Sequence, residues 1–278
     1  MRTKRLAVGS VPYLVGRPLD LGLEHEPGLD FRREVPAKLV EGLRSGALDV
    51  ALVSSIELFR RPGYRYLDGV AVAGAGFVGS VQVFLRRPIE AVRSVALDPA
   101  SRTAQALVRT LLEDRPASDG HAGGPPTFIE VPEGTDPRAV EADAWLRIGD
   151  AALRETVAER LPAWNPSREW TRRTGLPFVF AAWIVAPGAD IEPHLDAFRA
   201  AYARNRTARR ALADEAAREW GLPVAACREY LEVECLYEPG AAMRAALRAF
   251  RDGGARAGVC DGALDPEPIA LGALAAIR

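Results

Sequence analysis

The chain contains 278 residues, of which 48% are hydrophobic, so it can bury a sizeable core in one large or two modest domains. Its 36 Lys and Arg residues balance 37 Asp and Glu residues, which argues against a nucleic-acid-binding surface. The sequence shows no CxxC motif, no apolar run of 18 residues and no secretory h-region. We therefore expect a cytoplasmic protein with reduced thiols and no metal, membrane or nucleic-acid partner. The oligomeric state stays open.

The first third of the chain alternates short apolar strands with helices. Gly46 follows an apolar helical pattern that begins with a proline, and glycine there is a typical helix end. Ser54 and Glu57 match the S-x-x-E capping box, so they predict a helix directly after a buried strand. Short loops between these elements indicate a parallel α/β sheet. The expected elements are strands over 5–9, 30–35 and 48–53, and helices from 17–18 and over 36–46.

The stretch from Val95 to Leu112 organises the middle of the chain. A short apolar strand, 95–97, ends in a hydroxyl-rich turn, and apolar residues at helical spacing then predict a helix over 104–112. The free N–H groups and the dipole at the start of such a helix attract an anion such as a carboxylate. Ser101 either contacts that anion or only caps the helix, and both interpretations stay open.

A second strand end presents a carboxylate. The strand over 144–148 is followed by Gly149 and Asp150 and then by a helical segment. Ligands of open α/β sheets bind outside the carboxyl ends of the strands, so Asp150 is expected at the same edge as Ser101. Asp150 either takes part in the site or caps its helix.

The rest of the chain predicts a second lobe and a return to the first. We expect the first lobe to contain residues 1–87 and 186–278 and the second to contain 88–185. The last residues are assigned only as a terminal segment. The other expected elements are strands over 70–73, 80–85 and 127–131, a polar loop over 114–126, a turn from 169 into an apolar strand with Trp183 in the core, and helices over 191–219, 224–233 and 241–251.

Four strand ends carry the polar groups of a candidate site. Gly9-Ser10 and Val53-Ser54-Ser55 belong to one lobe and the other two ends to the other lobe, so a cleft between the lobes would bring all four together. Clefts of this kind are where small-molecule sites concentrate, and the groups favour a small anionic ligand. The four ends are Gly9-Ser10, Val53-Ser54-Ser55, Asp98 to Thr103 and Gly149-Asp150.

Six motifs occur in order between Val8 and Val185: GSVPYL followed by RPL, LRSGALDVALVSSIE, a glycine-rich run into Ser80-Val81, VALDPASRT, LRIGDAAL and TGLPFVFAAW. Together they resemble the chorismate dehydratases of the futalosine route to menaquinone, and CREYLEVECLYE and MRAALRAF fit the closing segment of that family. The resemblance implies a type II periplasmic-binding-protein fold used as an enzyme. It implies a carbon–oxygen lyase that converts chorismate into 3-[(1-carboxyvinyl)oxy]benzoate without a metal or organic cofactor.

The resemblance also gives roles to residues. Ser80 matches the family's serine and is expected to contact the substrate near the reacting centre. Residues 101–103 are expected to hold one carboxylate of the dianion, with the serines near the ends of the first lobe's strands close to the other. The base is either Asp150 or, as the family's chemistry suggests, the substrate's own enolpyruvyl carboxylate. The expected substrate-binding residues are Ser10, Tyr13, Ser54, Ser55, Ser101, Arg102, Thr103 and Gly149.

One position departs from the family. After Pro-Tyr-Leu the family usually carries asparagine, whereas this chain has Val15, which cannot donate a hydrogen bond. Either Gly16 leaves room for water or another group to replace the amide, or activity is reduced or changed. Losing a polar contact in a buried site costs about 1–3 kcal/mol, or roughly ten- to a hundredfold in rate.

Two other functions fit the same fold. One is 1,4-dihydroxy-6-naphthoate synthase of the same route, whose expected catalytic histidine has no convincing counterpart among His25, His121 and His194. The other is a non-catalytic protein that binds a small acid.

Overall fold

The computed structural model describes residues 5–113 and 124–272. Its short apolar strands form two sheets, and amphipathic helices connect the strands. The strands within these ranges are β1 (Leu6–Ser10), β2 (Leu29–Arg33), β3 (Val50–Ser54), β4 (Arg65–Gly74), β5 (Val81–Leu85), β6 (Ser94–Leu97), β7 (Thr127–Glu130), β8 (Ala144–Ile148), β9 (Ala163–Trp164), β10 (Phe178–Val185) and β11 (Glu267–Ala270). The helices are α1 (Arg17–Asp20), α2 (Pro36–Ser45), α3 (Arg102–Glu113), α4 (Gly149–Ala158), α5 (Pro166–Thr174), α6 (Leu195–Trp220), α7 (Val224–Glu229) and α8 (Ala242–Arg256).

The first lobe is built on a six-stranded sheet with the order β11-β4-β10-β3-β1-β2. Its β1 runs parallel to β2 and β3, as the alternation of strands and helices predicts. Strand β10 enters between β3 and β4 and runs antiparallel to both, so the sheet is mixed. The second lobe has a five-stranded sheet with the order β7-β6-β8-β5-β9. The expected two-lobed α/β fold is confirmed.

The expected lobe limits at residues 87 and 186 are corrected by strand pairing. Strand β5 pairs with β8 in the second sheet, whereas β10 pairs with β3 and β4 in the first. The chain therefore crosses to the second lobe between Gly74 and Val81 and returns between Trp164 and Phe178. The partners lie far apart along the chain, so no local pattern marks either crossing.

The capping box expected after β3 does not form. Residues Ser55–Phe59 form a short 3₁₀-helix, and the Ser54 side chain makes no capping hydrogen bond to it. Glu57 is buried and accepts two hydrogen bonds of 2.7 Å from Arg44 instead. A bidentate bond to a guanidinium satisfies a buried carboxylate better than a single backbone N–H does.

Two other elements differ from the sequence prediction. Residues 169–174, expected as a turn, complete α5, which Asn165 caps by accepting the Arg168 N–H at 2.9 Å. The terminal segment contributes β11, which pairs in parallel with β4 at the sheet edge. The expected polar loop falls mostly on residues 114–123, which lie outside the described residues.

Aromatic side chains fill the cores of both lobes. Trp183 of β10 is buried, as expected, and packs edge-on against Phe198 with ring centroids 5.0 Å apart. In the second lobe Phe84 stacks on Trp145, with ring centroids 5.4 Å apart.

The cysteines carry free thiols, in agreement with the sequence. Within the described ranges, no helix combines the length and the apolar character needed to cross a bilayer.

Candidate active site

A cleft lies between the two sheets, and its empty volume, including the open space at its entrance, is about 660 Å³. The ends of β3 and β4, the start of β5, strand β10, the turn before α3 and the junction of β8 with α4 enclose it. Its apolar wall consists of Val11, Val15, Pro36, Val72, Ala73, Val78, Val81, Ala100, Ile148, Phe180 and Ala181, and its polar side chains are Tyr13, Ser54, Ser80, Ser101 and Cys235. Mostly apolar walls with a few polar groups are typical of a small-molecule site.

Ser80 lies at the entry to β5 and is buried in the cleft wall. Its Oγ accepts a hydrogen bond of 2.9 Å from the Tyr230 hydroxyl. Its carbonyl oxygen accepts the Gly149 N–H at 2.8 Å, which joins two of the expected site residues directly. The serine is therefore held from two sides while its hydroxyl faces the cleft.

Gly149 starts α4 with φ +70, a left-handed conformation that favours glycine. A Cβ at this position would lie 3.4 Å from ring carbons of Tyr13, so the ring packs closely over the glycine. Burial, with smaller contributions from Asp98 and Asp150, raises the pKa of Tyr13 to about 12. The phenol is therefore neutral at physiological pH and able to donate a hydrogen bond.

Ser101 both caps α3 and lines the cleft. Its Oγ accepts the Ala104 N–H at 3.2 Å, so Ser101 caps the helix, and its hydroxyl hydrogen can still be donated to a ligand. The turn before it is shaped by Asp98, which begins the expected strand end but was not among the expected binding residues. The Asp98 carboxylate accepts the N–H of Ala100 at 2.9 Å and of Ile148 at 3.0 Å. These bonds fix the end of β6 against the end of β8, beside the cleft.

Asp150 contacts the opposite lobe but is not part of the cleft wall. Both of its carboxylate oxygens lie near the Leu14 N–H, at 3.2 and 3.4 Å, and it borders a separate groove with Arg17 and Glu219. Burial raises its pKa to about 6, against smaller lowering effects of the Leu14 N–H and of Arg154. Asp150 thus joins α4 to the loop after β1.

Ser55 and Thr103 also join the lobes instead of lining the cleft. Both are buried, and their hydroxyls lie 3.5 Å apart. Ser55 donates to the Val179 carbonyl at 2.6 Å, and Thr103 accepts the Ile56 N–H at 3.1 Å. Backbone groups occupy these hydroxyls, which leaves little hydrogen-bonding capacity for a ligand.

Two more expected binding residues lie outside the cleft. Ser10 is fully buried beside Asp20, whose carboxylate accepts a hydrogen bond of 2.8 Å from Arg33. Burial raises the pKa of Asp20, against smaller lowering effects of Arg33 and Ser10. Arg102 is half exposed at the start of α3 and lies 3.7 Å from Glu130. The structure therefore brings together Tyr13, Ser54, Ser80, Ser101 and Gly149, but not Ser10, Ser55, Arg102, Thr103 or Asp150.

The segment behind Ser80 was not among the expected site residues. Residues Tyr230–Glu234 form a π-helical turn, a feature frequent at functional sites. Tyr230 contacts Ser80, and Cys235 follows the turn and lines the cleft. The CREYLEVECLYE motif contains this segment and marks the family, but its helical pattern does not indicate a contact with Ser80.

The cleft is nearly free of charge. Within residues 5–113 and 124–272, no Lys, Arg, Asp or Glu side chain lines it. In the same part of the chain, no three His, Cys, Asp or Glu side chains are grouped to hold a metal ion. An anionic ligand here would be held by hydroxyls and by the N–H groups at helix starts, which bind anions without a cationic side chain.

These features define a two-lobed α/β protein of the periplasmic-binding-protein type, with its candidate site between the lobes. The fold is similar to that of protein AF1704 from Archaeoglobus fulgidus, with a TM-score of 0.71, 18% identity and coverage of 93% of this chain and 100% of that one. It is also similar to the alkanesulfonate-binding protein SsuA from Xanthomonas axonopodis pv. citri bound to MOPS, with a TM-score of 0.62, 16% identity and coverage of 94% and 95%. At these identities the likeness shows the fold alone.

The sequence profile of the menaquinone biosynthesis family matches residues 6–256, so the chain belongs to that family. It is 33% identical over 195 residues to the chorismate dehydratase of Thermus thermophilus, covering 62% of this chain and 69% of that protein. It is 27% identical over 180 residues to the chorismate dehydratase of Campylobacter jejuni, covering 62% of this chain and 64% of that protein. The resemblance read from the motifs is confirmed at the level of the family.

Proposed function

We propose that this chain is a chorismate dehydratase, a carbon–oxygen lyase that converts chorismate into 3-[(1-carboxyvinyl)oxy]benzoate and water in the futalosine route to menaquinone. Its family and its two named relatives support this function. In the reaction one ring C–H bond and one ring C–OH bond break. The C–H electron pair becomes the new ring double bond, and the hydroxyl leaves as water with a proton. The product ring is aromatic, so orientation and exclusion of water are the main tasks of the protein.

The observation that carries the proposal is the nearly uncharged, mostly apolar cleft with Ser80 and Ser101 on its wall. An apolar wall suits the six-membered ring, and the first turn of α3 offers N–H groups to a carboxylate. In such an apolar site, hydrogen bonds to a bound anion are stronger than they are in water. We assign the contact nearest the reacting centre to Ser80 and a carboxylate contact to Ser101. Tyr13, Ser54 and Gly149 complete the proposed binding site.

The titratable side chains of the cleft wall favour substrate-assisted proton transfer. Burial raises the pKa of both Tyr13 and Cys235 to about 12, so both are neutral and neither accepts a proton readily. Asp150 is not part of the wall. We therefore assign ring-proton abstraction to the enolpyruvyl carboxylate of the substrate and assign to Asp150 a contact between the lobes.

No observation favours the two alternatives over this function. A naphthoate synthase would need a histidine at the site, but His25 is exposed and His194 is half-buried against Gly28, and neither lines the cleft. His121 lies outside the described residues. The family match favours an enzyme of menaquinone biosynthesis over a protein that only binds a small acid.

The test is to incubate the purified protein with chorismate and to follow substrate and product by chromatography with mass detection. We expect turnover, and we expect Ser80→Ala to lower kcat/KM about ten- to a hundredfold because one hydrogen bond to the reacting substrate is lost. Ser45→Ala, which removes a hydroxyl that donates to the backbone of α2, should retain full activity. Binding of chorismate without turnover would favour the binding protein. The proposal would be refuted if the protein showed no binding and no turnover of chorismate.

A further inference from the structure

We propose that the π-helical turn Tyr230–Glu234 positions Ser80 and fixes the direction in which its hydroxyl donates. The inference rests on the proposed function, since it concerns the serine assigned to the reacting centre. In this view Tyr230 and Glu234 are positioning residues that act through Ser80 and its neighbour Gly79, and neither contacts the substrate.

Two side chains from this one turn hold the Ser80 segment. The Tyr230 hydroxyl donates to Ser80 Oγ at 2.9 Å, and the Glu234 carboxylate accepts the Gly79 N–H at 2.7 Å. They stand four residues apart, so they project from the same side of the turn. Both the hydroxyl of the serine and the backbone just before it are therefore bonded to the same short element.

The second lobe holds the same segment from the other side. Thr156 of α4 donates to the Gly79 carbonyl at 2.9 Å, and the Asn165 amide donates to the carbonyls of Val78 and Val81 at 2.9 and 3.2 Å. This segment leads from the glycine-rich run into β5 and also crosses from one lobe to the other. It needs such side-chain partners because few backbone bonds of a sheet or helix reach it.

The hydrogen bond from Tyr230 determines what Ser80 is able to do. A serine hydroxyl has one hydrogen and two acceptor positions, and the phenol occupies one of those acceptor positions. Because the phenol hydrogen is already donated, the serine hydrogen has to find another acceptor, and the cleft lies on the open side. Ser80 is thereby preset as a donor toward an oxygen of the substrate.

Tyr230 orients this donor and does not supply a proton of its own. The ring is completely buried, and burial raises the pKa of the phenol well above 10. Passing its proton through Ser80 to the departing hydroxyl would leave a buried phenolate, which is strongly unfavourable. The phenol therefore keeps its proton throughout the reaction.

A double-mutant cycle tests the inference. Tyr230→Phe removes the hydroxyl and keeps the ring, so we expect kcat to fall about three- to tenfold with little change in KM. In a Ser80→Ala background the same change should have no further effect, because the group on which Tyr230 acts is gone. Tyr66→Phe is the matched control, since Tyr66 is a buried tyrosine of β4 that does not line the cleft, and its activity should stay within twofold.

The conservative variant at position 234 separates positioning from charge. Glu234→Gln keeps an oxygen that accepts the Gly79 N–H and should retain activity within about threefold, whereas Glu234→Ala should resemble Tyr230→Phe. Thermal unfolding of each variant checks that the fold persists. The inference is overturned if Tyr230→Phe costs the same factor with and without Ser80, or if Glu234→Gln is as poor as Glu234→Ala.

A wild-type chain that does not turn over chorismate would refute the proposed function separately. The positioning inference is then judged by a crystal structure of Tyr230→Phe. There the Ser80 side chain should leave its single orientation or populate more than one, and an unchanged single orientation would overturn the inference.

Discussion

Asp150→Asn is the substitution that most sharply separates a contact between the lobes from a catalytic base. The carboxylate lies between α4 and Leu14 of the first lobe, and burial raises its pKa from 3.8 to about 6. Leu14, Arg154 and Arg17 act to lower that pKa, and Glu219 acts to raise it. The raised value means that the ionised carboxylate is less stable in the folded protein than in the unfolded chain.

The pH dependence follows from the direction of this shift. A carboxyl group whose pKa is raised by folding stabilises the fold while it is protonated, and that contribution is lost as the pH rises from about 4 through about 6. The two pKa values differ by about two units, which corresponds to at most about 3 kcal/mol, and we take about 1–3 kcal/mol because water and local relaxation reduce it. Asparagine retains an oxygen for the Leu14 N–H and carries no charge. Asp150→Asn should therefore raise the free energy of unfolding by this amount at pH 8 and leave it unchanged near pH 4.

Urea unfolding followed by tryptophan fluorescence at both pH values measures this difference. Asp30→Asn, at an exposed position of β2, is the control and should change the free energy of unfolding by less than about 0.5 kcal/mol. Turnover of chorismate should stay within about threefold in Asp150→Asn. Equal or lower stability at pH 8 would refute the electrostatic reasoning, and loss of nearly all turnover would restore Asp150 as the base.

Three further predictions concern the lobe contact, the left-handed glycine and the departure from the family. Thr103→Val leaves a buried backbone N–H unpaired and should lower the free energy of unfolding, measured in urea, by about 1–3 kcal/mol. Thr110→Val on the same helix should not, since the Thr110 hydroxyl has no hydrogen-bond partner among residues 5–113 and 124–272. Gly149→Ala and Gly175→Ala, at φ +70 and +69, should each lower the free energy of unfolding by about 1–2 kcal/mol. Only the change at 149 should also reduce turnover, because its methyl group contacts the Tyr13 ring beside the cleft. Val15→Asn should raise kcat/KM about tenfold over Val15→Leu, a control of similar volume, because the asparagine amide that is usual in the family can donate a hydrogen bond to the substrate. Equal values of kcat/KM would show that this chain does not use that contact.

Much of the fold was predictable because its signals are local. Gly46 and Gly221 end α2 and α6 in the left-handed conformation, as their positions after apolar helical patterns indicate. The placement of β5, β10 and β11 was not predictable, because it depends on pairing with strands far away along the chain. The cytoplasmic location stays a prediction.

The candidate site shows why strand ends alone overpredict binding residues. Ser54 is the last residue of β3 and Ser55 the first of the 3₁₀-helix that follows, so their side chains leave the chain in different directions: one faces the cleft and the other is buried between the lobes. Ser101 and Thr103 differ in the same way at the start of α3, because two residues of helix rotate by more than half a turn. The sequence identified the right loops, but the direction of each side chain depends on which backbone groups lie opposite.

The most direct test of the account is a crystal structure with bound 3-[(1-carboxyvinyl)oxy]benzoate. We predict that the ring lies in the cleft between the lobes, in contact with Ser80, and that its carboxylates receive N–H and O–H hydrogen bonds around Ser101 and Gly149 without a cationic side chain. Product bound outside this cleft, or carboxylates paired with Arg102, would contradict the account.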